Sequence, residues 1–179
     1  RMKLQRAIAT LILVLASTII SIHSAESAPS LRGQIVFESF RGNNWDIYTI
    51  NADGSNLKRL TDHRDWDRQP SWSPDGKKIA FESRMGFHPD AYVMNADGSN
   101  KTAITPDRPL DNAPDWSPDG NQLVFFSSFS VDHYILKIDI DGSNLTRLTG
   151  GDDSRFPDWS PDGKRIAFTR NQDGNWEIY

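Results

Sequence analysis

The 179-residue sequence contains no cysteine, which excludes disulfide bonds, thiolate metal sites, cysteine nucleophiles and a lipid-modified cysteine. It also lacks an excess of basic charge, because its formal net charge is −4 at pH 7. That balance argues against a nucleic-acid partner, since proteins that bind a phosphate backbone normally carry clustered positive charge. With 37% hydrophobic and 25% charged residues, the composition is typical of a soluble globular protein.

The signatures of common catalytic sites are missing as well. No Gly-x-Ser-x-Gly segment is present, as a hydrolase nucleophile elbow would require. Ser73, Ser117 and Ser160 each precede a proline, and a role as the first residue of a turn is sufficient for them. The segment 139–144 resembles a calcium loop, but the pattern that ends in glutamate is absent, so a hairpin turn explains it better.

The four histidines are scattered and have no repeating carboxylate at metal-ligand spacing. We therefore interpret them as ordinary surface residues, apart from the one in the N-terminal segment. The sequence predicts no catalytic residue, no cofactor and no metal, and thus no enzymatic activity. The histidines are His23, His63, His88 and His133.

The N-terminal 27 residues have the order of a secretory signal peptide: a basic start, an apolar run over 7–22 and small residues around 24–28. Ala25 and Ser27 predict cleavage before Ala28, which leaves 28–33 as a short linker. The alternative is an uncleaved membrane anchor, but the apolar run is shorter than the roughly 20 residues of a bilayer span. We expect an exported protein, periplasmic or extracellular.

A seven-residue motif, Pro-x-Trp-Ser-Pro-Asp-Gly, occurs three times, and its tryptophans are spaced 44 and 43 residues apart. A second motif, Asp-Gly-Ser-Asn, recurs with nearly the same spacing and begins at residues 53, 97 and 141. A period in this range, built from short strand-like runs, is typical of propeller blades. The structural residues of the first motif are Trp72, Pro74, Asp75 and Gly76, then Trp116, Pro118, Asp119 and Gly120, then Trp159, Pro161, Asp162 and Gly163.

Each repeat predicts a four-stranded antiparallel sheet, because runs with alternating apolar residues are separated by glycine-containing turns. Proline and aspartate suit the middle of a type I turn, and the glycine takes the left-handed position that follows. The fold class is therefore an all-β propeller with about three and a half blades, an incomplete ring. It occupies 34–179, with repeats at about 34–76, 77–120, 121–163 and a truncated 164–179. The first repeat begins at its second strand.

These motifs, together with the recurring Arg-Leu-Thr, resemble the WD-like propeller repeat of the periplasmic TolB family over Gln34 to Tyr179. Similar repeats occur in the propellers of prolyl oligopeptidases, dipeptidyl peptidase IV and tricorn-type proteases. The resemblance implies a role in protein binding in the cell envelope. The sequence departs from the TolB pattern at Leu136 and Ile140 of the third repeat, which keep apolar bulk or turn length. A larger departure is that we expect no α/β domain between the proposed cleavage point and the first strand.

Up-and-down topology places the near-identical turns on one face of the propeller and all variable loops on the other. Binding residues concentrate on variable loops that a rigid scaffold holds. Tryptophan and arginine are also the residues that dominate binding hot spots. The candidate partner contacts are therefore Trp45, Trp66, Arg68, Phe87, Arg155 and Trp176, unless these side chains fold back over the blade edges.

The leading hypothesis is an exported, non-catalytic propeller that binds one or more proteins, among them envelope proteins. The alternative is the N-terminal propeller of a serine peptidase of the prolyl-oligopeptidase or dipeptidyl-peptidase type, whose catalytic domain lies beyond Tyr179. A third possibility is self-association through open blade edges, since unpaired edge strands invite pairing with another chain. An uncleaved N-terminus is the one route to a membrane that the sequence offers.

Overall fold

The computed structural model describes residues 33–86, 88–106, 110–129, 132–150 and 153–179, and every regular element in these ranges is a β-strand. The predicted signal peptide lies outside the described residues. No helix in the described part of the chain has the length and hydrophobicity to cross a bilayer. The all-β prediction is confirmed.

Fourteen strands form four antiparallel sheets in chain order within the described ranges. Sheet I contains β1 (Gln34–Arg41), β2 (Asn44–Asn51) and β3 (Lys58–Arg59). Sheet II contains β4 (Asp67–Trp72), β5 (Lys78–Ser83), β6 (Asp90–Asn95) and β7 (Thr102–Ala103). Sheet III contains β8 (Asp111–Trp116), β9 (Gln122–Phe129), β10 (Asp132–Asp139) and β11 (Thr146–Arg147). Sheet IV contains β12 (Asp153–Trp159), β13 (Ile166–Gln172) and β14 (Asn175–Ile178).

Strand register shows how the repeats correspond. Phe37 pairs with Tyr48 across β1 and β2, as Phe81 pairs with Tyr92 across β5 and β6. Strand β1 is therefore equivalent to β5, the second strand of a complete sheet. This confirms that the first repeat begins at its second strand. Strands β4, β8 and β12 begin the other sheets, and each contacts the corresponding strand of its neighbours; we call them the inner strands.

The turn after each inner strand follows the predicted chemistry. Gly76 adopts a φ of +68°, and its amide donates to the Ser73 carbonyl at 2.9 Å. The Ser73 hydroxyl donates to Asp75 Oδ1 at 2.7 Å, and the Lys77 amide donates to the same oxygen at 3.0 Å. Positive φ is the reason for glycine here, because side chains clash with the backbone in that region. The turns at Gly120 and Gly163 repeat this geometry.

Every inner strand also contains a β-bulge that was not predicted. The register shifts by one residue between Arg68 and Ser71 in β4, and at the equivalent places in β8 and β12. The first bulge residue is left-handed in each strand, with φ of +52° at Gln69, +51° at Ala113 and +52° at Phe156. The residue before a proline normally prefers extended backbone, so this conformation is strained. Bulges bend the strand and strengthen its twist.

The last strands of sheets I, II and III, which are β3, β7 and β11, are only two residues long. A threonine extends each of them by one more hydrogen bond. Thr61 Oγ1 accepts from the Ile47 amide at 2.9 Å, and Thr105 Oγ1 accepts from the Ala91 amide at 3.0 Å. Thr149 does the same for the Ile135 amide at 3.0 Å. The threonine thus satisfies one backbone amide beyond the short strand, both in the Arg-Leu-Thr segments at 59–61 and 147–149 and in the Ala-Ile-Thr segment at 103–105.

Three apolar cores fill the seams between neighbouring sheets. Sheets I and II enclose a core that includes Ile47, Ile79 and Phe81, with Trp72 packed against it. Sheets II and III enclose Ala80, Trp116 and Phe125 among others. The third seam contains Val124, Phe126 and Ile135, with Trp159 and Phe168 against them. Because each sheet shows one apolar face to each neighbour, a sheet is stable only within the stack.

Candidate functional site

The strand order divides the connections between two faces. The turn face carries the connections from β2 to β3, β4 to β5, β6 to β7, β8 to β9, β10 to β11 and β12 to β13. The loop face carries the hairpin loops β1–β2, β5–β6, β9–β10 and β13–β14, together with the three links between sheets. This follows from antiparallel topology, since consecutive connections alternate between the two ends of a sheet.

The aspartate carboxylates of the turn face accept hydrogen bonds from other residues of the same turns. Asp53 Oδ1 accepts from the Ser55 hydroxyl at 2.6 Å and from its amide at 2.9 Å. These bonds hold the pKa of Asp53 below its usual value, and the Ser73 hydroxyl does the same for Asp75. The pKa is lowered in the same way at Asp97, Asp119, Asp141 and Asp162.

The turn face also has a shallow depression of about 450 Å³, lined in part by Asp119, Asp139 and Asp141. Gln122 Nε2 and Asn144 Nδ2 each donate to Asp139, both at 2.7 Å, and Ser143 donates to Asp141 at 2.6 Å. Within the described ranges, no three His, Asp or Glu side chains are grouped closely enough to hold a metal ion. Hydrogen bonds within the turns and hairpins thus engage the carboxylates of this depression.

On the loop face, the structure brings together two of the predicted contact residues from different sheets. The Arg68 guanidinium lies 4.9 Å from the centre of the Trp45 ring, which also packs against Phe40 at 5.4 Å. Arg68 Nη2 donates to Glu38 Oε1 at 3.2 Å, and the amide of Gln69 donates to Glu38 Oε2 at 2.6 Å. Glu38 thus ties sheet I to the first bulge and holds Arg68 over the tryptophan.

Glu82 lies directly across from Arg68 in the pairing of β4 with β5 and is 4% exposed. Burial raises the pKa of Glu82 to about 8, opposed by the positive charge of Arg68 and assisted by the negative charge of Glu38. The single charge of Arg68 therefore interacts with two carboxyl groups: it is hydrogen-bonded to Glu38 and acts on Glu82 only through its electric field. Burial thus disfavours the charged form of Glu82 in the folded protein.

A second arginine–tryptophan pair lies on the loop face at sheet IV. The Arg155 guanidinium is 5.0 Å from the centre of the Trp176 ring. Arg155 Nε and Nη2 donate to the two oxygens of Asp153 at 2.7 and 2.8 Å, a bidentate pair. His133 Nδ1, from sheet III, lies 2.8 Å from Asp153 Oδ1 and 3.3 Å from Arg155 Nη2.

Sequence reasoning missed several members of this second cluster. His133 was interpreted as an ordinary surface histidine, and Asp153, Phe126 and Phe156 were not singled out. The Phe126 ring lies 5.9 Å from the His133 ring and 5.3 Å from the Phe156 ring. The first contact lies within the β9–β10 hairpin of sheet III, whereas the second joins sheets III and IV and is not signalled by any local spacing in the sequence.

The remaining predicted contacts are less informative. Trp66 is half-buried in the link between sheets I and II, where its carbonyl accepts from the Arg84 amide at 3.1 Å. Phe87 lies outside the described residues. The repeat tryptophans lie in the seams, and Trp116 Nε1 donates across its seam to the Ser71 carbonyl at 3.2 Å.

Comparison with known proteins agrees with this architecture. The sequence profile of the TolB beta propeller domain matches residues 15–179. The structure of a putative TolB from Agrobacterium tumefaciens is similar, with a TM-score of 0.70 and 26% sequence identity. That match covers 78% of this chain and 50% of the other. TolB from Acinetobacter baumannii also has a TM-score of 0.70, at 28% identity, over 82% of this chain and 38% of its own.

A puromycin hydrolase shares the fold alone, with a TM-score of 0.58 and 17% identity over 74% of this chain and 25% of its own. No curated protein matches the sequence. The described chain thus spans half or less of the length of the TolB structures that it resembles. The predicted resemblance to the TolB family is confirmed.

Proposed function

Because the chain belongs to the TolB beta propeller domain family, we propose that it is an exported, non-catalytic scaffold whose loop face binds a protein of the cell envelope. The observation that supports this most directly is the pair of arginine–tryptophan contacts, Arg68 with Trp45 and Arg155 with Trp176. Both lie at the loop-side ends of their strands. Arginine and tryptophan in such positions are the residue types on which binding energy concentrates.

The contrast between the two faces supports the same proposal. On the turn face, repeated hydrogen bonds within each turn engage the aspartate carboxylates. Variation between the repeats is concentrated on the loop face, where rigid strands present different side chains from each sheet. A scaffold of this kind holds a binding surface and supplies no reacting group.

Site-specific photocrosslinking in the exporting cell tests this proposal. A photoreactive amino acid replaces Trp45 or Trp176 on the loop face, and Asn56 or Lys77 on the turn face as matched controls. We expect one protein to crosslink from both loop-face positions and not from the turn-face positions. Crosslinks from the turn face alone, or none from either face, would contradict the proposal.

Export is tested separately by fractionating the cells and sequencing the N-terminus of the accumulated protein. We expect a mature chain that begins at Ala28 outside the cytoplasm. Retention in the cytoplasm with an intact N-terminus would exclude the envelope assignment.

The peptidase alternative is distinguished by labelling the full natural protein with a fluorophosphonate, which reacts with activated serines. A scaffold remains unlabelled. Labelling, together with a Gly-x-Ser-x-Gly segment in the reading frame after Tyr179, would replace the scaffold proposal with a propeller-bearing hydrolase.

A further inference from the structure

Arg68 interacts with carboxyl groups of two different sheets. Its Nη2 donates to Glu38 Oε1 of sheet I at 3.2 Å, while the guanidinium lies 4.9 Å from the centre of the Trp45 ring. Glu82 of sheet II is the residue directly across from Arg68 in the pairing of β4 with β5. The arginine that covers a candidate contact residue is therefore placed next to a second carboxyl group, to which it is not bonded.

The two carboxyl groups differ in how well a negative charge on them is stabilised. Glu38 accepts a second hydrogen bond, from the Gln69 amide at 2.6 Å, and 18% of its side chain is exposed. Glu82 is 4% exposed. Burial raises the pKa of Glu82 to about 8 with help from the charge of Glu38, the charge of Arg68 opposes the rise, and no hydrogen bond contributes.

Arg68 has a donor that Glu82 lacks. Its Nε is buried and has no hydrogen-bond partner among the described residues. A guanidinium presents five N–H donors in a planar fork, so it can turn from one carboxylate to another without losing its charge. The unpaired donor and the unpaired carboxyl group belong to residues that face each other on neighbouring strands.

No other cation acts on the pKa of Glu82 within the described part of the chain. The strands packed against β5 are β4, β6 and β8, and apart from Arg68 their titratable side chains are acidic. An ionised Glu82 can therefore pair with Arg68 and with none of these groups. They are Asp67 of β4, Asp90 and Tyr92 of β6, and Asp111 and Asp115 of β8.

Ionisation of Glu82 changes which carboxylate depends more on the arginine. A buried negative charge needs a paired cation, because little water reaches it. Glu38 is partly hydrated and keeps its bond from the Gln69 amide if Arg68 leaves. Glu82 has no such substitute, so its charge should draw the guanidinium away from Glu38.

We propose that Glu82 and Arg68 form a switch that covers and uncovers Trp45. While Glu82 is protonated, Arg68 bonds to Glu38 and lies over the indole ring. When Glu82 ionises, Arg68 Nε donates to its carboxylate, and the guanidinium leaves the face of Trp45 open to a partner. This inference rests on the proposed function of the loop face and names its regulation, because binding through Trp45 then strengthens as the pH rises.

NMR titration of the full chain tests the switch. The sequence has only four glutamates, Glu26, Glu38, Glu82 and Glu177, so carboxyl ¹³C labelling of glutamate gives few signals, and E82Q identifies that of Glu82. Tryptophan with a ¹³C-labelled ring reports on Trp45, which W45F identifies. We expect both signals to titrate together with a midpoint near pH 8, and the Trp45 titration to be lost in E82Q.

E38Q separates a coupled switch from two independent titrations. It removes a charge that raises the pKa of Glu82 and also the competing acceptor, so both midpoints should move together to lower pH. E177Q changes a glutamate of sheet IV and is the control that should move neither. A Trp45 signal that does not follow Glu82, one that titrates alike in E82Q, or a Glu82 midpoint near its ordinary value of 4.5 would overturn the inference.

The switch and the proposed function can fail separately. Crosslinks from a photoreactive residue 176 report on the partner, and at pH 9 their yield should be lower in E82Q than in the wild type, since Trp45 stays covered. Equal yields would overturn the regulation and leave the partner established. A coupled titration of Glu82 and Trp45 without any crosslink would instead retain the switch and contradict the proposed function.

Discussion

The pKa values of carboxyl groups in the turns and of carboxyl groups in the seams of this protein are shifted in opposite directions. In the turns, hydroxyl and amide donors lower the pKa, as at Asp75. In the seams, burial raises it, as at Asp67 and Glu82, and to about 6 at Asp115. The same chemical group thus supports the fold in one place and opposes it in the other.

The comparison of turn and seam carboxyls shows which positions of the repeat are fixed and which vary. Turn aspartates satisfy local backbone donors, so every repeat keeps them in the same place. Seam carboxyls are kept only in part: Asp46 and Asp67 recur as the buried Asp90 and Asp111 of the next repeat. In contrast, Phe126 replaces Glu82 in sheet III, and Ser71 replaces Asp115 in sheet II. The repeated turns and the apolar side chains of the seams stabilise the fold. The buried carboxyl groups, which lie between neighbouring sheets and at the loop face, destabilise it when they are charged.

The largest effect should come from W116A in the second seam. Trp116 is 5% exposed and donates to the Ser71 carbonyl, so its removal leaves a cavity and an unpaired acceptor. We expect the free energy of unfolding to fall by about 4 kcal/mol. The control is W159A, in which the tryptophan is half-buried and its Nε1 has no partner among the described residues. Urea denaturation that shows equal losses would contradict the seam assignment.

E82Q should stabilise the protein, by about 3 kcal/mol at pH 7. Because the folded-state pKa of Glu82 is raised to about 8, the carboxyl contributes stability that is present below pH 4.5 and is lost as the pH rises through 8. The advantage of E82Q should therefore be absent near pH 4 and grow toward pH 8. Thermal unfolding across this range measures it.

E38Q is the matched control at the equivalent position of sheet I. Glu38 accepts from Arg68 and from the Gln69 amide, so loss of its charge should destabilise the fold by about 1 kcal/mol at neutral pH. A stabilising E38Q, or an E82Q whose effect does not depend on pH, would show that the two carboxyls are not distinguished as we describe.

Two equivalent turns differ in their surroundings, because the turn at Gly98 contacts the neighbouring sheet and the turn at Gly54 does not. Gly54 and Gly98 occupy the same turn position with φ of +85° and +90°. A Cβ at Gly98 would lie 2.9 Å from the Leu60 carbonyl oxygen, whereas one at Gly54 would meet nothing within 4 Å. We expect G54A to cost about 1 kcal/mol from backbone strain and G98A about 2 kcal/mol more. Similar midpoints in urea for the two variants would remove the distinction.

The smallest effect should come from D158N. Burial and the nearby charge of Asp158 raise the pKa of Asp115, whose Oδ2 accepts from the Trp159 amide at 3.0 Å. The stability that Asp115 contributes is present below its ordinary value near 3.8 and is lost as the pH rises through about 6. Removing the like charge should lower this pKa and raise stability at pH 7 by about 1 kcal/mol. Calorimetry at pH 4 should show no difference from the wild type.

Strands and turns were predictable because their causes are local. The Ser-Pro-Asp-Gly turn fixes its own backbone, and the strand that the alternating apolar residues predict after it is observed as β5. The bulges were not predictable, since a residue before proline normally stays extended and tertiary pairing overrides this at Gln69.

For the candidate site, the sequence indicates residue types but not contacts. Arg155 and Trp176 were chosen separately, as exposed hot-spot residues. The sequence separates His133 from Asp153 by 20 residues, and only the packing of sheet IV against sheet III brings them within 2.8 Å. Contacts of this kind depend on how two sheets meet, which no single repeat encodes.

The bulge before each Pro-x-Trp segment has a consequence for how such a protein diversifies. Its left-handed geometry is shared by all three strands, so the backbone does not dictate which side chain lies there, even where that side chain packs, as Ala113 does against the third core and Phe156 against Phe126. Glutamine, alanine and phenylalanine already occupy this slot at one and the same backbone angle. Selection or a protein engineer can therefore exchange side chains of very different size and polarity at this one position of each inner strand while the bulge is kept.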